Sequence, residues 1–283
     1  MAERSDFFIS ADELAGKLKN SPPKCVDASW YLPAMERDGK AEFAEARIPG
    51  AVFFDIDAIA DTSAGLPHML PTPEAFGAAV GGLGIGETDE IIVYDGPGMF
   101  SAARVWWTLR VMGASNVRIL EGGFDRWRQA GHPLETGAPP APAPAVFKTA
   151  FNGKKVWGFE TMLANIRRGE SLVLDARPLA RFTGEAAEPR PGLASGHVPG
   201  SRSLAATDVV RDGCLLPEDE LARKLREVAA DKASHIVTSC GSGVTAAILS
   251  LALDVCGHES HALYDGSWSE WGGRKDAPVA RWA

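Results

Sequence analysis

One order of signals occurs twice along the chain, and this repeat constrains the fold more than any other feature. A short apolar run ending in Asp27 opens the first half, and a similar run ending in Asp175 opens the second. In each half a Pro-Gly turn follows, and then a helix start rich in proline and acidic residues. Proline and acids suit a first helical turn, so each half predicts strands alternating with helices.

Later segments of the two halves align without a gap. Three pairs carry the alignment: residues 90–95 with 234–239, 101–105 with 245–249, and 122–127 with 266–271. In this register Gly96 falls opposite Cys240. The second half therefore carries the chemistry, and the first half is predicted to be structural and substrate-facing.

The alternation of strands and helices predicts an α/β fold of two tandem domains, each a mainly parallel sheet flanked by helices. We predict a first domain over residues 1–137, a linker over 138–155 and a catalytic domain over 156–283. The linker alternates alanine and proline, a composition that favours extended polyproline II and a semi-rigid spacer. Clefts between domains are preferred ligand sites, so we expect the active site there.

The sequence SCGSGVT, residues 239–245, lies between a short β-branched run and a longer apolar run of helix length. Cys240 is thus predicted at the carboxyl end of a strand, where open α/β sheets bind their ligands. Two glycines let backbone N–H groups converge, and the helix dipole adds positive potential. Such a cradle favours the thiolate and predicts a reactive nucleophile, although cysteines are commonly buried and inert.

Composition excludes several classes of protein. The 283 residues carry a formal net charge of −8, which argues against a general nucleic-acid or anionic-membrane binder. No apolar run approaches membrane-spanning length. Residues 1–6 show no basic segment followed by an apolar one, so we expect a cytoplasmic location.

The four cysteines, Cys25, Cys214, Cys240 and Cys256, form no CxxC pair and no disulfide framework. Reduced thiols in a reducing compartment are therefore expected. Cys256 lies near His258 and His261, but no second ligand cluster completes a tetrahedral site. We predict no metal and no cofactor.

Two tandem copies, the loop CGSGVT at 240–245 and the segment YDGSWSEW at 264–271 together resemble the rhodanese-like sulfurtransferases. The resemblance covers essentially the whole chain, and the loop is similar to that of the mercaptopyruvate-using members. It implies transfer of sulfur from 3-mercaptopyruvate to a thiol or cyanide through a Cys240 persulfide, with release of pyruvate. Thioredoxin is the acceptor that the family suggests.

The resemblance also implies roles for individual residues. Arg181 and Arg190 match the arginines that hold the substrate carboxylate, a group that guanidinium forks suit. Asp57 and His68 match residues that reach Ser242 and assist proton transfer. The remaining loop residues implied to line the substrate site are Gly241, Gly243, Val244 and Thr245.

Three alternatives remain open at this point. A thiosulfate sulfurtransferase would use the same cysteine, but its loop typically carries basic residues. A cysteine phosphatase wants an arginine closing the loop, where Ala246 and Ala247 stand here. A non-catalytic sulfur carrier is the third, and retention of Cys240 argues against it.

Overall fold

The computed structural model describes residues 3–281, and these divide into two compact units. The first unit comprises residues 3–61, Leu70–Asn152 and Asp212–Cys214. The second comprises Thr62–Met69, Gly153–Arg211 and residues 215–281. A short segment of the first sequence half, Thr62–Met69, thus belongs to the second unit. Within the described residues, no helix has the length and apolar character needed to cross a membrane.

The first unit alternates strands and helices from beginning to end. Its elements are β1 (Phe8–Ile9), α1 (Ala11–Asn20), β2 (Lys24–Asp27), α2 (Gly39–Glu45), β3 (Val52–Phe53), α3 (Pro73–Gly82), β4 (Ile91–Tyr94), α4 (Ala102–Val111), β5 (Val117–Leu120) and α5 (Gly123–Gln129). Helices α1 and α3 each begin with a side-chain cap. Ser10 accepts the N–H of Glu13 at 3.2 Å, and Thr72, just before Pro73, accepts the N–H of Ala75 at 3.2 Å.

The second half of the chain repeats that order and adds a short two-stranded ribbon, β9–β10, of which Cys214 groups with the first unit. The elements are β6 (Val156–Trp157), α6 (Phe159–Arg168), β7 (Leu172–Asp175), α7 (Leu179–Thr183), β8 (Arg202–Ser203), β9 (Val210–Arg211), β10 (Cys214–Leu215), α8 (Glu218–Glu227), β11 (Ile236–Ser239), α9 (Ala246–Val255), β12 (His261–Tyr264) and α10 (Ser267–Trp271).

The two main sheets have the same topology. Strand order is β1-β5-β4-β2-β3 in the first and β6-β12-β11-β7-β8 in the second, five strands each. Every neighbouring pair in both is parallel. The predicted fold class, two tandem α/β domains with mainly parallel sheets, is confirmed.

Strand register corrects the gapless alignment of the two halves. Asp27 pairs with Tyr94 in the first sheet, and Asp175 pairs with Ser239 in the second. The residue that follows each pairing, and so corresponds to Cys240, is Asp95 rather than Gly96. Seven residues separate β4 from α4, whereas six separate β11 from α9. The prediction that Gly96 stands opposite Cys240 was wrong because the first loop is one residue longer.

The cores of the units are built on matching residues. Trp127 and Trp271 are fully buried in the hydrophobic clusters of the first and second units respectively. Their indole N–H groups donate to the carbonyls of Pro133 and Pro278, at 3.0 and 2.8 Å. A large aromatic group with a satisfied polar atom therefore anchors the last helix of each unit.

The alanine- and proline-rich segment forms neither helix nor strand, and its later part packs on the first unit. Phe147 is buried there against Phe76, with ring centroids 5.4 Å apart. The N–H of Ala145 donates to the carbonyl of Gly81 at 2.8 Å. The compact units divide after Asn152, so residues up to that point belong with the first. The boundaries 138 and 155 stay a prediction.

Asp27, at the carboxyl end of β2, is a buried carboxylate with an unusual titration. It is 3% exposed, and burial raises its pKa to about 6, against hydrogen bonds from Ser29 that lower it. A carboxyl group whose pKa is raised on folding stabilises the fold most below its unfolded pKa. That contribution is lost as the pH rises through about 6.

We therefore predict that Asp27→Asn becomes progressively more stable relative to the parent as the pH rises from about 4 to about 7. A pKa difference of about two units corresponds to about 3 kcal/mol in the free energy of unfolding. Urea unfolding at both pH values measures the change, with Asp219→Asn, which replaces an exposed carboxylate on α8, as control. A stability difference between Asp27→Asn and parent that stays the same at both pH values would contradict the prediction.

Candidate active site

The loop between β11 and α9 holds Cys240 where the sequence predicted it. Cys240 is 2% exposed, and Gly243 adopts the left-handed region at φ +78°. The main chain of Cys240 is held on both sides: its N–H donates to Ser267 Oγ at 3.2 Å, and its carbonyl accepts from Trp268 N at 2.9 Å. Cys240 therefore stands on a backbone that is fixed by α10.

Ser267 is a site residue that sequence reasoning missed. It is fully buried with a left-handed φ of +48°, and its Oγ donates to the carbonyl of Tyr264 at 2.9 Å. A residue other than glycine is strained in that region, so the serine conformation must be held by its surroundings. Its counterpart in the first unit is Gly123, also left-handed at φ +57°. Ser267 keeps the backbone conformation of its glycine counterpart and in addition carries a hydroxyl that accepts the N–H of Cys240.

The rest of the loop is packed against the same helix. The carbonyl of Gly241 accepts from the N–H and the hydroxyl of Ser269, at 2.8 and 2.6 Å. Val244 is buried, and its carbonyl accepts the N–H of Ala247 at 3.3 Å. Thr245 is half-buried at the start of α9. The predicted loop residues thus form one well-defined turn at the helix N-terminus.

Ser242 meets His68 as the sequence predicted. Ser242 Oγ and His68 Nδ1 lie 3.0 Å apart in a hydrogen bond, and both residues are buried. His68 has a left-handed φ of +60°, a conformation that costs a histidine about 1 kcal/mol or more. It belongs to the segment Thr62–Met69 of the second unit, the unit that also contains Cys240.

Asp57 belongs to the first unit, whereas His68 belongs to the second. In the first unit the Asp57 carboxylate accepts the indole N–H of Trp30 at 2.9 Å. Its own N–H donates to Asp55 Oδ1 at 3.2 Å. Orientation of His68 by Asp57 stays a prediction.

Arg181 lies against the cysteine loop. Its Nη2 is 3.2 Å from the point that a Cβ on Gly241 would occupy, so a side chain there would push the guanidinium back by a few tenths of an ångström. Arg181 Nε donates to Glu188 Oε1 at 3.2 Å, and Nη2 also donates to Glu188. One edge of the guanidinium is therefore held by protein while the arginine remains 20% exposed.

Glu188 and Arg177 complete a buried charge network that sequence reasoning missed. Glu188 is 1% exposed and accepts Arg177 Nη1 at 2.7 Å in addition to Arg181. Arg177 also donates to both carboxylate oxygens of Asp175, and its guanidinium lies 4.1 Å from the Trp268 ring centroid. Buried charges persist when they are paired and hydrogen-bonded, as here. The spacing of Asp175 and Arg177 at the end of β7 was the available signal.

Arg190, the second predicted substrate arginine, is half-buried two residues beyond Glu188. It lies on the same connection as Arg181, within the second unit. Its contact with a substrate carboxylate stays a prediction.

The matching loop of the first unit shows what such a turn stabilises. Asp95, the counterpart of Cys240, accepts the N–H groups of Gly98, Phe100 and Ala102 at 2.6, 2.9 and 2.8 Å. Its carboxylate is fully buried in this amide cradle at the start of α4. Burial raises the pKa of Asp95, against these hydrogen bonds from backbone amides, which lower it. A hydrogen-bonded carboxyl group therefore occupies in one unit the place in the turn that Cys240 occupies in the other.

The other cysteines are held as neutral thiols. Burial, with a contribution from Glu90, raises the pKa of Cys25 to about 12. Burial also raises the pKa of Cys256 to about 11 and that of Cys214 above its usual value. Thiolates are the reactive form, so these three positions are poor nucleophiles at neutral pH. Among residues 3–281, no cluster of three potential metal ligands occurs.

The geometry agrees with a family model. The model described as "Rhodanese-like domain" matches residues 10–130 and again residues 159–274. The chain belongs to the rhodanese-like family. The resemblance found in the sequence is thereby confirmed, and each match covers four of the five strands of one sheet.

Named relatives of this rhodanese-like chain are similar over nearly its full length. A 3-mercaptopyruvate sulfurtransferase of Escherichia coli (strain K12) is 44% identical over 276 residues, 96% of this chain and 97% of the relative. A mitochondrial thiosulfate/3-mercaptopyruvate sulfurtransferase of Arabidopsis thaliana is 40% identical, covering 97% of this chain and 78% of the relative. The crystal structure of SseA from Escherichia coli, described under 3-mercaptopyruvate sulfotransferases, matches with TM-score 0.85 and 39% identity over 93% and 98% of the two chains.

We predict that Ser267→Ala lowers the free energy of unfolding by about 1–3 kcal/mol, because it leaves the buried Cys240 N–H without its acceptor. Ser267→Gly also removes the hydroxyl but relieves the left-handed strain, so its loss should be about 1 kcal/mol smaller. Denaturant unfolding of both variants measures the cost of the lost hydrogen bond and the gain from relieved backbone strain. Turnover reports the effect on the cysteine loop. An alanine variant as stable as the parent would show that the hydroxyl is dispensable.

Proposed function

We propose that this protein transfers sulfur from 3-mercaptopyruvate to a thiol or cyanide acceptor through a persulfide on Cys240, releasing pyruvate. The observation that carries the proposal is the placement of the Arg181 guanidinium against Gly241, next to the buried Cys240. The names of the similar Escherichia coli and Arabidopsis thaliana proteins support the substrate.

In the first stage the Cys240 thiolate attacks the sulfur of 3-mercaptopyruvate. A sulfur–sulfur bond forms, the carbon–sulfur bond breaks, and its electron pair leaves with carbon as the enolate of pyruvate. Arg181 and Arg190 hold the carboxylate and keto oxygens, where a guanidinium counters the charge that develops. The enolate then takes a proton on carbon to give pyruvate.

The loop is suited to an anionic sulfur. The three amides that bind Asp95 in the first unit support a similar role for the amides at the start of α9. Ser242 and His68, 3.0 Å apart, form a pair through which a proton can pass to or from the reacting groups. Gly241, Gly243, Val244 and Thr245 shape the turn that surrounds the substrate.

In the second stage the acceptor attacks the outer sulfur of the persulfide and regenerates the Cys240 thiolate. Cyanide leaves as thiocyanate, and a thiol leaves as its persulfide. Such a two-stage covalent route gives ping-pong kinetics.

We predict that Cys240→Ser abolishes both pyruvate release and the covalent intermediate. Mass spectrometry after treatment with 3-mercaptopyruvate should find one added sulfur on the parent and none on the variant. Cys25→Ser is the matched control, because its thiol is buried in the first unit, and it should retain turnover. Substantial pyruvate release by Cys240→Ser would refute the proposed nucleophile.

A thiosulfate sulfurtransferase is the second candidate, favoured by the name of the Arabidopsis thaliana relative. Thiosulfate is a dianion whose reacting end gains from cations in the loop, whereas Gly241 and Ser242 are uncharged. Mercaptopyruvate carries its charge on a carboxylate remote from sulfur. A neutral loop with arginines beside it therefore favours mercaptopyruvate.

We predict that Ser242→Lys raises the ratio of sulfite formation from thiosulfate to pyruvate formation from 3-mercaptopyruvate by about tenfold, because one added charge contact is worth about 1.4 kcal/mol. Ser242→Met adds similar length without charge and separates electrostatics from bulk. Equal ratios in the lysine and methionine variants would count against the electrostatic argument.

A cytoplasmic location and thioredoxin as acceptor complete the proposal. All four cysteines are free thiols, which supports a reducing compartment. The Arabidopsis thaliana relative is named mitochondrial, so fractionation of the source cells decides the location. Rates of sulfur transfer to reduced thioredoxin and to cyanide, compared at equal concentration, decide the acceptor.

A further inference from the structure

The first unit contains a cavity of about 430 Å³ at the carboxyl edge of its sheet. Asp27, Ser29, Glu42, Ala46, Gly96 and Phe124 are among the residues that line it. In the second unit, the equivalent space is occupied by a side chain.

That side chain is Arg177. Besides Asp175 and Glu188, its guanidinium binds the carbonyl of Gly196 at 2.8 Å and lies on the ring of Trp268. Two carboxylates, one carbonyl and one aromatic face thus surround a single planar cation.

Ser29 is the counterpart of Arg177 in the first unit. Each follows the terminal aspartate of its strand by two positions and donates its N–H to Oδ1 of that aspartate, at 2.9 Å for Ser29 and 3.0 Å for Arg177. The Ser29 hydroxyl accepts the N–H of Gly96 at 3.0 Å. A short side chain therefore stands where the second unit has a guanidinium.

The four groups around Arg177 all have counterparts lining the cavity. Strand register makes Asp27 the equivalent of Asp175. Ala46 is likewise the equivalent of Gly196, because each stands four residues before the glycine of its Pro-Gly turn. Phe124 corresponds to Trp268, because their N–H groups donate to the carbonyls of Asp95 and Cys240 at the same point of each loop.

Glu42 corresponds to Glu188 through its arginine. Arg37 donates to both oxygens of Glu42, at 2.7 and 2.8 Å, and its Nη2 is 3.7 Å from the Cβ position of Gly96. Arg181 has the same relation to Glu188 and Gly241. In place of the second arginine, Glu42 accepts the hydroxyl of Tyr31 at 2.8 Å. A carboxylate offers about four acceptor positions, so Glu42 retains capacity for another donor.

The charge around the cavity also favours a cation. Its lining includes four carboxylates, Asp27, Glu42, Glu45 and Asp125, against two guanidinium groups, Arg37 and Arg128. Arg37 is engaged by Glu42, and Arg128 is exposed, 5.8 Å from the Phe124 ring. Burial of Asp27 without a cation such as Arg177 raises its pKa to about 6.

We propose that this cavity of the first unit binds a guanidinium cation, held by the carboxylates of Asp27 and Glu42, the carbonyl of Ala46 and the ring of Phe124. The ligand copies the contacts that Arg177 makes within the second unit. Its source is either a small guanidinium compound or an arginine side chain of another polypeptide.

Titration of the intact protein with two probes tests the proposal and separates the sources. Methylguanidinium represents the small compound, and acetyl-Gly-Arg-Gly-amide represents an arginine side chain. NMR shifts confined to residues such as Gly96 and Phe124 are expected with at least one probe. The same peptide with citrulline, a neutral isostere of arginine, should bind at least about tenfold more weakly, because it lacks the charge-assisted hydrogen bonds.

Two variants localise the binding. Ser29→Arg should place the guanidinium of the new side chain in the cavity. It should therefore abolish probe binding and raise the thermal unfolding midpoint. Asp27→Asn should weaken binding about tenfold or more, whereas Asp12→Asn on α1 should leave it unchanged.

Equal binding of the arginine and citrulline peptides would overturn the proposal, as would an unchanged affinity in Ser29→Arg. Absence of binding by both probes up to about 50 mM, a range that exceeds ordinary weak affinities, would overturn it as well. These outcomes are independent of sulfur transfer, because binding is measured without substrate on a unit that lacks Cys240.

Discussion

The amide groups at the start of a helix that follows a parallel strand have no partner within that helix, and the site depends on how they are satisfied. The two units satisfy them differently. In the first, the carboxylate of Asp95 accepts the N–H of Ala102, the first residue of α4, together with those of Gly98 and Phe100 in the loop before it. In the second, the corresponding position is Cys240. The turn that binds a buried carboxyl group in one copy therefore carries a cysteine in the other.

In the second unit the charges next to this turn come from outside the loop. The loop itself is uncharged, and the Arg181 guanidinium approaches it at Gly241. Glu188 binds Arg181 and Arg177 together, and Arg177 in turn binds Asp175 at the end of β7. The position of Arg181 is therefore tied to the sheet through three ion pairs in series. Such a connection fixes a long side chain that would otherwise lose much conformational entropy on binding an anion.

Much of the fold and part of the site could be predicted from the sequence. The duplicated signals gave the two parallel sheets, and the glycine-flanked cysteine between strand and helix gave the loop. The alignment failed at Gly96 because the first loop has one residue more, and short motifs on either side cannot locate a single insertion. Glu188 and Ser267 escaped notice for a different reason. Their roles depend on partners distant in sequence, and an isolated acid or serine carries no sign of those partners.

His68 has a consequence for any division of the chain. The segment Thr62–Met69 is encoded in the first repeat but is part of the second compact unit, where His68 meets Ser242. A polypeptide cut after Asn152 would leave the cysteine and its arginines in one fragment and the histidine in the other. A division of the gene at that point would therefore separate His68 from Ser242. Their hydrogen bond would then form only if the two fragments assembled again.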